Sequence, residues 1–326
     1  MLYEPIRIGR IELKNRLVMP PMQSNTSRRG HVTDALLQHY RERALHAAPG
    51  LIVTEHCCVT EAGRADKGQL SIAEDALIEE HRLLTETVHE AGSRIIAQLN
   101  HGGSGAEPFD GGELVSASAV PNLRKKLGRT PRPLTVEEIL ALEERYAEAA
   151  VRAVKAGYDG VEIHCAHGYL LNQFYSPLTN RRDDAYGSAS VMDRCRFLLE
   201  TMAKVRAAIG EEPVMAVRLG GADYMPGGST EEDAAAAARL IEAAGADLLD
   251  VSGGMCGYVV RDRGGAGYFG TMTEKIKAAV ALPVVLTGGV TTPAEAERLL
   301  ADGKADLIGV GRALLKDAHW GEAERA

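Results

Sequence analysis

Short apolar stretches alternate with longer amphipathic segments along most of the chain. Eight of the apolar stretches end in small or polar residues, as buried strands of a parallel sheet do. They cover residues 16–22, 51–59, 94–100, 160–166, 214–220, 248–253, 283–289 and 306–311. Helical periodicity covers residues 34–48, 75–91, 136–156, 191–209, 230–244, 273–281 and 293–302. Eight strands that alternate with helices predict an α/β fold, specifically a closed (β/α)8 TIM barrel.

The residues before the first predicted strand form a pattern of their own. Residues 6–8 and 11–13 are apolar at alternate positions and flank Gly9-Arg10. This arrangement predicts an N-terminal hairpin that caps the bottom of the barrel. Neither a linker nor a low-complexity segment interrupts the chain further on, so we expect residues 1–326 to form a single domain.

Two long loops, residues 98–133 and 253–270, follow predicted strands. They therefore belong at the C-terminal face of the barrel, where the chemistry of this fold takes place. The second loop contains Gly265-Ala266-Gly267-Tyr268-Phe269-Gly270, a literal match to G-x-G-x-x-G. It lies well downstream of its strand, and the tight strand–turn–helix of a dinucleotide fingerprint is missing. We therefore reject a Rossmann-type site there.

Composition and charge exclude several classes of partner. The chain has 326 residues, of which 45% are hydrophobic and 25% charged, as in ordinary globular proteins. Its 37 basic and 45 acidic residues give a formal net charge of −8. The one basic cluster, Arg124-Lys125-Lys126, falls in a predicted loop and is interpreted as solvated surface. We expect neither nucleic acid nor a membrane as a partner.

Cysteine usage and the N-terminal sequence bear on the compartment. The five cysteines fit no disulfide framework and form no C-x-x-C pair, so no metal site is expected from them. The N-terminus lacks a basic segment followed by an apolar one, and no apolar run reaches the roughly 18 residues of a membrane span. These features predict a protein of the reducing cytoplasm.

The most informative stretch is residues 162–170, at the end of the fourth predicted strand. His164 and His167 are three residues apart, and Tyr169 follows two residues later. Imidazoles can donate hydrogen bonds to a carbonyl oxygen, and a tyrosine hydroxyl can deliver a proton. From the residues alone, a partial metal site and loop histidines without a function are the alternatives; a third ligand of fitting spacing is missing.

Four motifs in register resemble the Old Yellow Enzyme family of FMN-dependent ene-reductases. They are residues 15–22 (NRLVMPPM), 98–103 (QLNHGG), 164–170 (HCAHGYL) and 176–182 (SPLTNRR). The resemblance runs from about Tyr3 to Trp320 and implies a single FMN-binding TIM-barrel domain, which agrees with the alternation above. It also implies a ping-pong reaction in which NADH or NADPH reduces bound FMN. An α,β-unsaturated carbonyl compound, an enone or enal, then takes up the hydride.

The resemblance also assigns candidate cofactor-binding residues. Those expected to line the flavin rings are Pro20, Pro21, Met22, Gln23, Cys58 and His164. The amide of Gln98 suits the mixed donors and acceptors of the flavin pyrimidine, and Arg218 would stabilise the reduced anion. From the residues alone, Arg218 could equally pair with a carboxylate. The candidates for the phosphate are Gly288, Gly289, Gly311 and Arg312, in loops where barrels commonly bind phosphate.

In the same resemblance His164 and His167 bind the carbonyl oxygen, and Tyr169 donates the proton. One departure is Gln23, which stands where many relatives have Cys or Thr and leaves the flavin potential undetermined. Larger relatives continue into an iron–sulfur segment and a second nucleotide-binding domain, which this sequence lacks, so FMN is the only bound cofactor expected. Some dimeric relatives contribute a C-terminal arginine to the site of the neighbouring subunit. It has no clear counterpart in this sequence, and a homo-oligomer is possible.

Two other functions stay open on the sequence. One is an FMN-dependent amine dehydrogenase or oxidative demethylase on the same scaffold. Such relatives remodel the carbonyl-binding pair, which is intact here as His164 and His167. The other is a non-catalytic flavin-binding barrel. The sequence fixes neither the physiological substrate nor the choice between NADH and NADPH.

Overall fold

The computed structural model describes residues 1–125 and 127–325, and a closed barrel of eight parallel strands lies at its centre. The barrel strands are Leu17–Met19, Leu51–Val53, Arg94–Asn100, Gly160–Cys165, Val214–Ala222, Leu248–Gly253, Val284–Thr287 and Leu307–Gly309. Each pairs with the next, and Ile308 of the eighth strand pairs with Leu17 of the first. The predicted TIM barrel is confirmed. Lys126, part of the basic cluster, lies outside the described residues.

Helices connect the strands, and all the predicted ones are present. They are Asp34–Leu45, Ile78–Glu90, Val136–Lys155, Val191–Ile209, Glu231–Ala243, Gly270–Lys277 and Pro293–Ala301. Three have a capping box, in which the N-cap threonine and an acidic residue three positions later exchange hydrogen bonds with the backbone. Short helices that the periodicity did not predict are Leu170–Tyr175, Arg312–Lys316 and Glu322–Arg325. Within the described ranges, none of the helices is long and apolar enough to cross a membrane.

Small elements fill the loops between these helices and strands. The two-residue strands are Cys57–Cys58, Leu70–Ser71, Val115–Ser116 and Arg132–Pro133, and the 3-10 turns are Glu61–Gly63, Asp75–Leu77 and Gly103–Gly105. Several of them belong to the long loop after the third barrel strand. That loop is therefore ordered and folds over the C-terminal face.

The first two barrel strands are shorter than the apolar runs that predicted them. The first ends at Met19 because Pro20 and Pro21 have no N–H to donate to a neighbouring strand. The second ends at Val53, and the Glu55 N–H donates to the Tyr40 hydroxyl at 2.7 Å instead of continuing the ladder. Cys57–Cys58 then forms a separate short strand beside the third. This break decides which residue reaches the site described below.

The N-terminal hairpin closes the bottom of the barrel, as predicted. Its strands, Ile6–Ile8 and Ile11–Leu13, pair antiparallel. Ile8 and Leu13 are buried in one cluster with interior barrel residues, including Val18 and Leu51. A second and larger core lies between the strands and the surrounding helices. The hairpin thus plugs the end of the barrel opposite the C-terminal ends of its strands.

Candidate active site

A cavity of about 950 Å³ opens at the C-terminal end of the barrel. Every barrel strand supplies a residue at or just beyond its end, namely Pro20, His56, Gln98, His164, Arg218, Ser252, Thr287 and Gly309. The predicted site residues found in its wall are Pro20, Pro21, Met22, Gln23, Gln98, His164, His167, Tyr169, Arg218, Gly288, Gly289, Gly311 and Arg312. The structure therefore brings together residues from distant parts of the chain at one site.

Cys58 is the predicted site residue that the structure does not bring into this cavity. Its buried thiol lies 3.7 Å from Glu61 Oε1, and burial raises its pKa to about 12. His56 occupies the cavity wall at the end of the second strand instead. The prediction treated residues 51–59 as one strand, whereas the chain leaves the barrel ladder after Val53. Because of that break, the residue that faces the cavity is His56 and not Cys58.

The rings of His164, His167 and Tyr169 come together at the end of the fourth strand, as their spacing in the sequence predicts. The His164 ring centroid lies 5.1 Å from that of His167 and 5.1 Å from that of Tyr169. His167 adopts a left-handed backbone conformation, with φ of 59°, in the turn that follows the strand. Its Nε2 lies 2.7 Å from Ser252 Oγ at the end of the sixth strand. His56 extends the cluster, with its ring 5.3 Å from Tyr169.

Burial sets the protonation of this cluster. It lowers the pKa of both His164 and His167 well below the usual range, and the positive charge of Arg218 acts in the same direction. Burial also raises the pKa of Tyr169 to about 12. At neutral pH each imidazole is therefore uncharged with one N–H, and Tyr169 keeps its proton. The cluster can donate hydrogen bonds and a proton without bearing a net charge.

Gln98 and Arg218, at the cavity floor, form a buried charge layer with Glu162 and Asp250. Arg218 pairs in register with His164 on one side and Asp250 on the other, and its Nε lies 3.3 Å from Asp250 Oδ2. Gln98 Nε2 donates to Glu162 Oε1 at 2.7 Å. Burial, followed by the Asp250 charge, raises the pKa of Glu162 to about 8, and burial raises that of Asp250. Near neutral pH one carboxylate therefore balances Arg218 and the other carboxyl stays protonated.

The loops after the seventh and eighth strands form the opposite end of the cavity. Gly288 and Gly289 have positive φ, and a Cβ on Gly289 would lie 2.0 Å from the carbonyl oxygen of Gly265. Only glycine fits this close approach to the loop after strand six. That loop includes the rejected G-x-G-x-x-G stretch, which packs against Gly289 and begins well after the end of strand six. With Gly311 and Arg312 the loops offer backbone amides and a guanidinium, the donors that suit a phosphate.

Some lining residues were not predicted from the sequence. They include His56, Ser252, Tyr258, Tyr268, Phe269 and Trp320. Ser252 ends the sixth apolar stretch, so its position on a strand end was a usable signal. The aromatic residues come from loops, and no periodicity reveals where a loop side chain goes. Trp320 lies near the C-terminus and is fixed by donation from its Nε1 to Thr291 O at 2.8 Å.

The cavity fits flavin mononucleotide. His164 Nδ1 is buried without a hydrogen-bond partner among the described residues. Gln98 and Arg218 bring an amide and a cation to the wall, and Pro21 and Met22 bring apolar surface. A flavin has an apolar ring face, a polar ring edge and a terminal phosphate, so it needs these three kinds of contact. Gln23 also lines the cavity, although its Nε2 donates to Asp66 Oδ1 at 2.5 Å.

The basic loop cluster is not merely solvated surface. Arg124 Nη1 donates to the backbone oxygen of His167 at 2.7 Å. Lys125 Nζ lies 2.7 Å from Glu107 Oε1. The Arg124 side chain is exposed, as predicted, and Lys125 is partly exposed. Both also make contacts that were not predicted, because the loop after strand three folds back over the loop after strand four. Arg124 is thereby brought to the edge of the active site.

One group of side chains in the described part of the chain has the composition of a metal site. His46, His319 and Glu322 offer ligand atoms within 4.8 Å of one another. Both imidazoles already lie within hydrogen-bond distance of the Glu322 carboxylate, at 3.2 Å and 2.5 Å. None of the three lines the cavity.

A TIM barrel with a glycine-lined cavity end, a polar floor and a neutral His–His–Tyr cluster suits a flavin-dependent oxidoreductase. The chain belongs to the NADH:flavin oxidoreductase / NADH oxidase family, whose model matches residues 1–324. This is the Old Yellow Enzyme family. By its description, this is a family of flavin-dependent oxidoreductases that act on NADH.

This chain is similar in sequence to proteins of different lengths. A metal reductase from Desulforamulus reducens is 38% identical over 321 residues, which are 97% of this chain and 47% of that protein. An NADPH dehydrogenase from Geobacillus sp. is 37% identical over 322 residues, which are 98% of this chain and 92% of that protein. The chain thus spans about half of the first relative and most of the second.

Solved structures show the same fold. A 2-naphthoyl-CoA reductase in complex with 2-naphthoyl-CoA has a TM-score of 0.90 at 26% identity, covering 99% of this chain and 52% of that one. An Old Yellow Enzyme homologue from Zymomonas mobilis has a TM-score of 0.83 at 32% identity, covering 96% and 89%. Morphinone reductase (N189A) in complex with tetrahydroNAD has a TM-score of 0.83 at 28% identity, covering 99% and 90%.

Proposed function

We propose that the protein is an ene-reductase that reduces the activated C=C bond of α,β-unsaturated carbonyl compounds at the expense of NADH or NADPH. The observation that carries this proposal is the cluster of His164, His167 and Tyr169 in the wall of the flavin-sized cavity. It offers neutral hydrogen-bond donors beside a protonated phenol. Reduction of an enone needs hydrogen-bond donors at the carbonyl oxygen and a proton donor near the α-carbon.

The cofactor would be held by residues from both ends of the cavity. Pro20, Pro21, Met22, Gln23 and His56 would contact the flavin ring, and Gln98 and Arg218 would contact its polar edge. Gly288, Gly289, Gly311 and Arg312 would bind the phosphate. When bound, FMN supplies the two-electron carrier between the nicotinamide and the alkene.

His164 and His167 act on the carbonyl oxygen of the substrate. Each neutral imidazole donates one N–H, which stabilises the negative charge that grows on this oxygen as hydride adds to the β-carbon. Donors of this kind are already oriented, because His164 is fixed by its strand and His167 by Ser252, 2.7 Å from its Nε2. Loss of one such donor typically lowers the rate by ~10²–10³.

Tyr169 completes the reduction. Its hydroxyl keeps its proton at neutral pH, because burial raises its pKa to about 12. After hydride has reached the β-carbon, the α-carbon carries the electron pair that Tyr169 protonates. Solvent then restores the phenol. The net change is the addition of one hydride and one proton across the double bond.

Stopped-flow measurement of the two half-reactions of Tyr169→Phe tests the proposal. We expect flavin reduction by NADPH to be nearly unchanged, and flavin reoxidation by cyclohexenone to slow by ~10²–10⁴. Reoxidation by oxygen needs no proton at that carbon and should be spared. Tyr258→Phe is the matched control, because Tyr258 lines the same cavity with its ring 6.1 Å from His167.

The half-reactions, measured also with a methylated amine, distinguish the ene-reductase from the amine dehydrogenase and from a non-catalytic flavin-binding barrel. A Tyr169→Phe variant that slows only the nicotinamide step, or neither step, would refute the proton-donor role. Reduction of the flavin by a methylated amine, with no reoxidation by enones, would favour the amine dehydrogenase. A protein that holds FMN but turns over neither class of compound would be a binding barrel.

A further inference from the structure

A second cavity, of about 270 Å³, lies beside the active site and is called the rim pocket here. His167 and Tyr169 line both cavities. The other side of the rim pocket comes from the loop after strand three, with Asn122, Arg124 and Lys125. A group bound in the rim pocket would therefore lie next to two of the side chains proposed to act on the substrate.

The two basic residues of the rim pocket differ in their partners. Lys125 Nζ pairs with Glu107 Oε1 at 2.7 Å, so its charge is balanced within the loop. Arg124 Nη1 donates to the neutral backbone oxygen of His167, and its guanidinium lies 5.9 Å from the centre of the Tyr258 ring. In the described ranges 1–125 and 127–325, no carboxylate lies within ion-pairing distance of Arg124. The rim pocket thus holds a positive charge without a counter-charge.

The surrounding chain is shaped to hold Arg124 in this place. The Asn122 side-chain oxygen accepts from the backbone N–H groups of Arg124 and Lys125, at 3.0 Å and 2.7 Å. A Cβ on Gly257 would lie 2.5 Å from Arg124 Nη2, and one on Gly168 would lie 3.3 Å from Arg124 Cδ. Loops from two different strands therefore leave room for this one side chain. A fixed guanidinium loses little freedom when it binds a planar anion.

We infer that the rim pocket binds an anionic group, a carboxylate or a phosphate, that is part of the alkene substrate, with Arg124 as its counter-ion. The inference rests on the proposed ene-reductase function and narrows its substrate class. Guanidinium pairs such groups through two parallel N–H donors. Since the carbonyl oxygen lies at the histidine pair, the anionic group is attached on the carbonyl side of the double bond.

Two substrates of similar size, one anionic and one neutral, test this inference. The acid is 4-oxohex-5-enoate, an enone with a carboxylate on its carbonyl side, and the neutral partner is its methyl ester. We expect wild-type holoenzyme to prefer the acid. Arg124→Met should lower the acid-to-ester ratio of kcat/KM by about 10- to 100-fold, the usual range for a lost charged hydrogen bond. Added salt should reduce the wild-type preference.

Arg129→Met is the matched control, because Arg129 is exposed and donates to the backbone oxygens of Gly111 and Gly112 in the same loop. It should leave the acid-to-ester ratio unchanged. Equal losses on acid and ester in Arg124→Met would overturn the inference and make Arg124 a tether of the His167 loop. A rise in KM for NADPH alone would overturn it in favour of a nucleotide phosphate. If wild type reduces neither ester nor cyclohexenone, the proposed function itself fails; reduction of the ester without preference for the acid refutes only the rim pocket.

Discussion

Glu162→Gln removes one ionisable group from the buried charge layer and preserves its shape. The replacement amide can still accept the 2.7 Å hydrogen bond that Gln98 Nε2 donates to Glu162. Burial and the Asp250 charge raise the pKa of Glu162 from 4.5 to about 8, so the folded protein favours the protonated form. The stability that this group contributes is complete below the unfolded pKa and is lost as the pH rises through the folded pKa.

The size of the effect follows from that interval. Between the two pKa values the unfolded chain is ionised and the folded chain is not, so each pH unit lowers the free energy of unfolding by ~1.4 kcal/mol. From about pH 6 to about pH 8 the wild type should lose on the order of 2 kcal/mol through Glu162. The variant has no such titration. Its stability relative to wild type should therefore rise by the same amount over this range.

Urea unfolding of the holoprotein, followed by far-ultraviolet circular dichroism at both pH values, measures this difference. Glu144→Gln is the control, because Glu144 is exposed and pairs with Lys204 on the surface. Exposed pairs contribute only ~0–1 kcal/mol, so the control should show little change in its pH dependence. If Glu162→Gln and wild type differ by a constant amount at both pH values, the buried proton does not reside on Glu162, and the reasoning is refuted.

Two further substitutions test the site. Arg218→Ala should lower the amount of FMN that copurifies per chain, because it removes the cation at the cavity floor and leaves Asp250 buried without its counter-charge. Absorbance of the released flavin measures this amount, and full retention of FMN would contradict the prediction. Ser252→Ala should lower kcat/KM for enones by about fivefold, which corresponds to the loss of one hydrogen bond of ~1 kcal/mol to His167. Flavin reduction by NADPH should be unaffected in Ser252→Ala, and an equal loss in both half-reactions would mean a general structural role.

The residues carried by uninterrupted strands could be predicted from the sequence. Gln98 and Arg218 each end an apolar run, and the order of strands and helices fixes which end of the barrel they reach. The barrel itself follows from the same alternation. The roles of these residues came from the family resemblance, because a strand-end glutamine or arginine has no function that its spacing alone reveals.

Other features depend on contacts that a local pattern does not contain. His56 was missed because the strand ends at Val53, where the Glu55 N–H donates to the hydroxyl of Tyr40 on a helix and not to a neighbouring strand. The helix Leu170–Tyr175 has only six residues, too few for a periodicity to be recognised. The contact of the exposed Arg124 side chain with His167 was missed because nothing near Arg124 in sequence shows that its loop folds onto His167. In each case the deciding partner is distant along the chain.

The active site is divided between two kinds of structure, and this division bears on how such an enzyme can diverge. Gln98, His164 and Arg218 are on strands whose register is fixed by neighbours on both sides. Arg124 and Tyr258 are in loops, outside the barrel ladder. A mutation in residues 101–133 or 254–270 can change which molecules are admitted without replacing His164, His167 or Tyr169, the side chains proposed to act on the substrate. Mutant libraries for new substrates should therefore randomise these two segments and leave the strands and the loop after the fourth strand unchanged, so that most library members retain the chemistry on which selection acts.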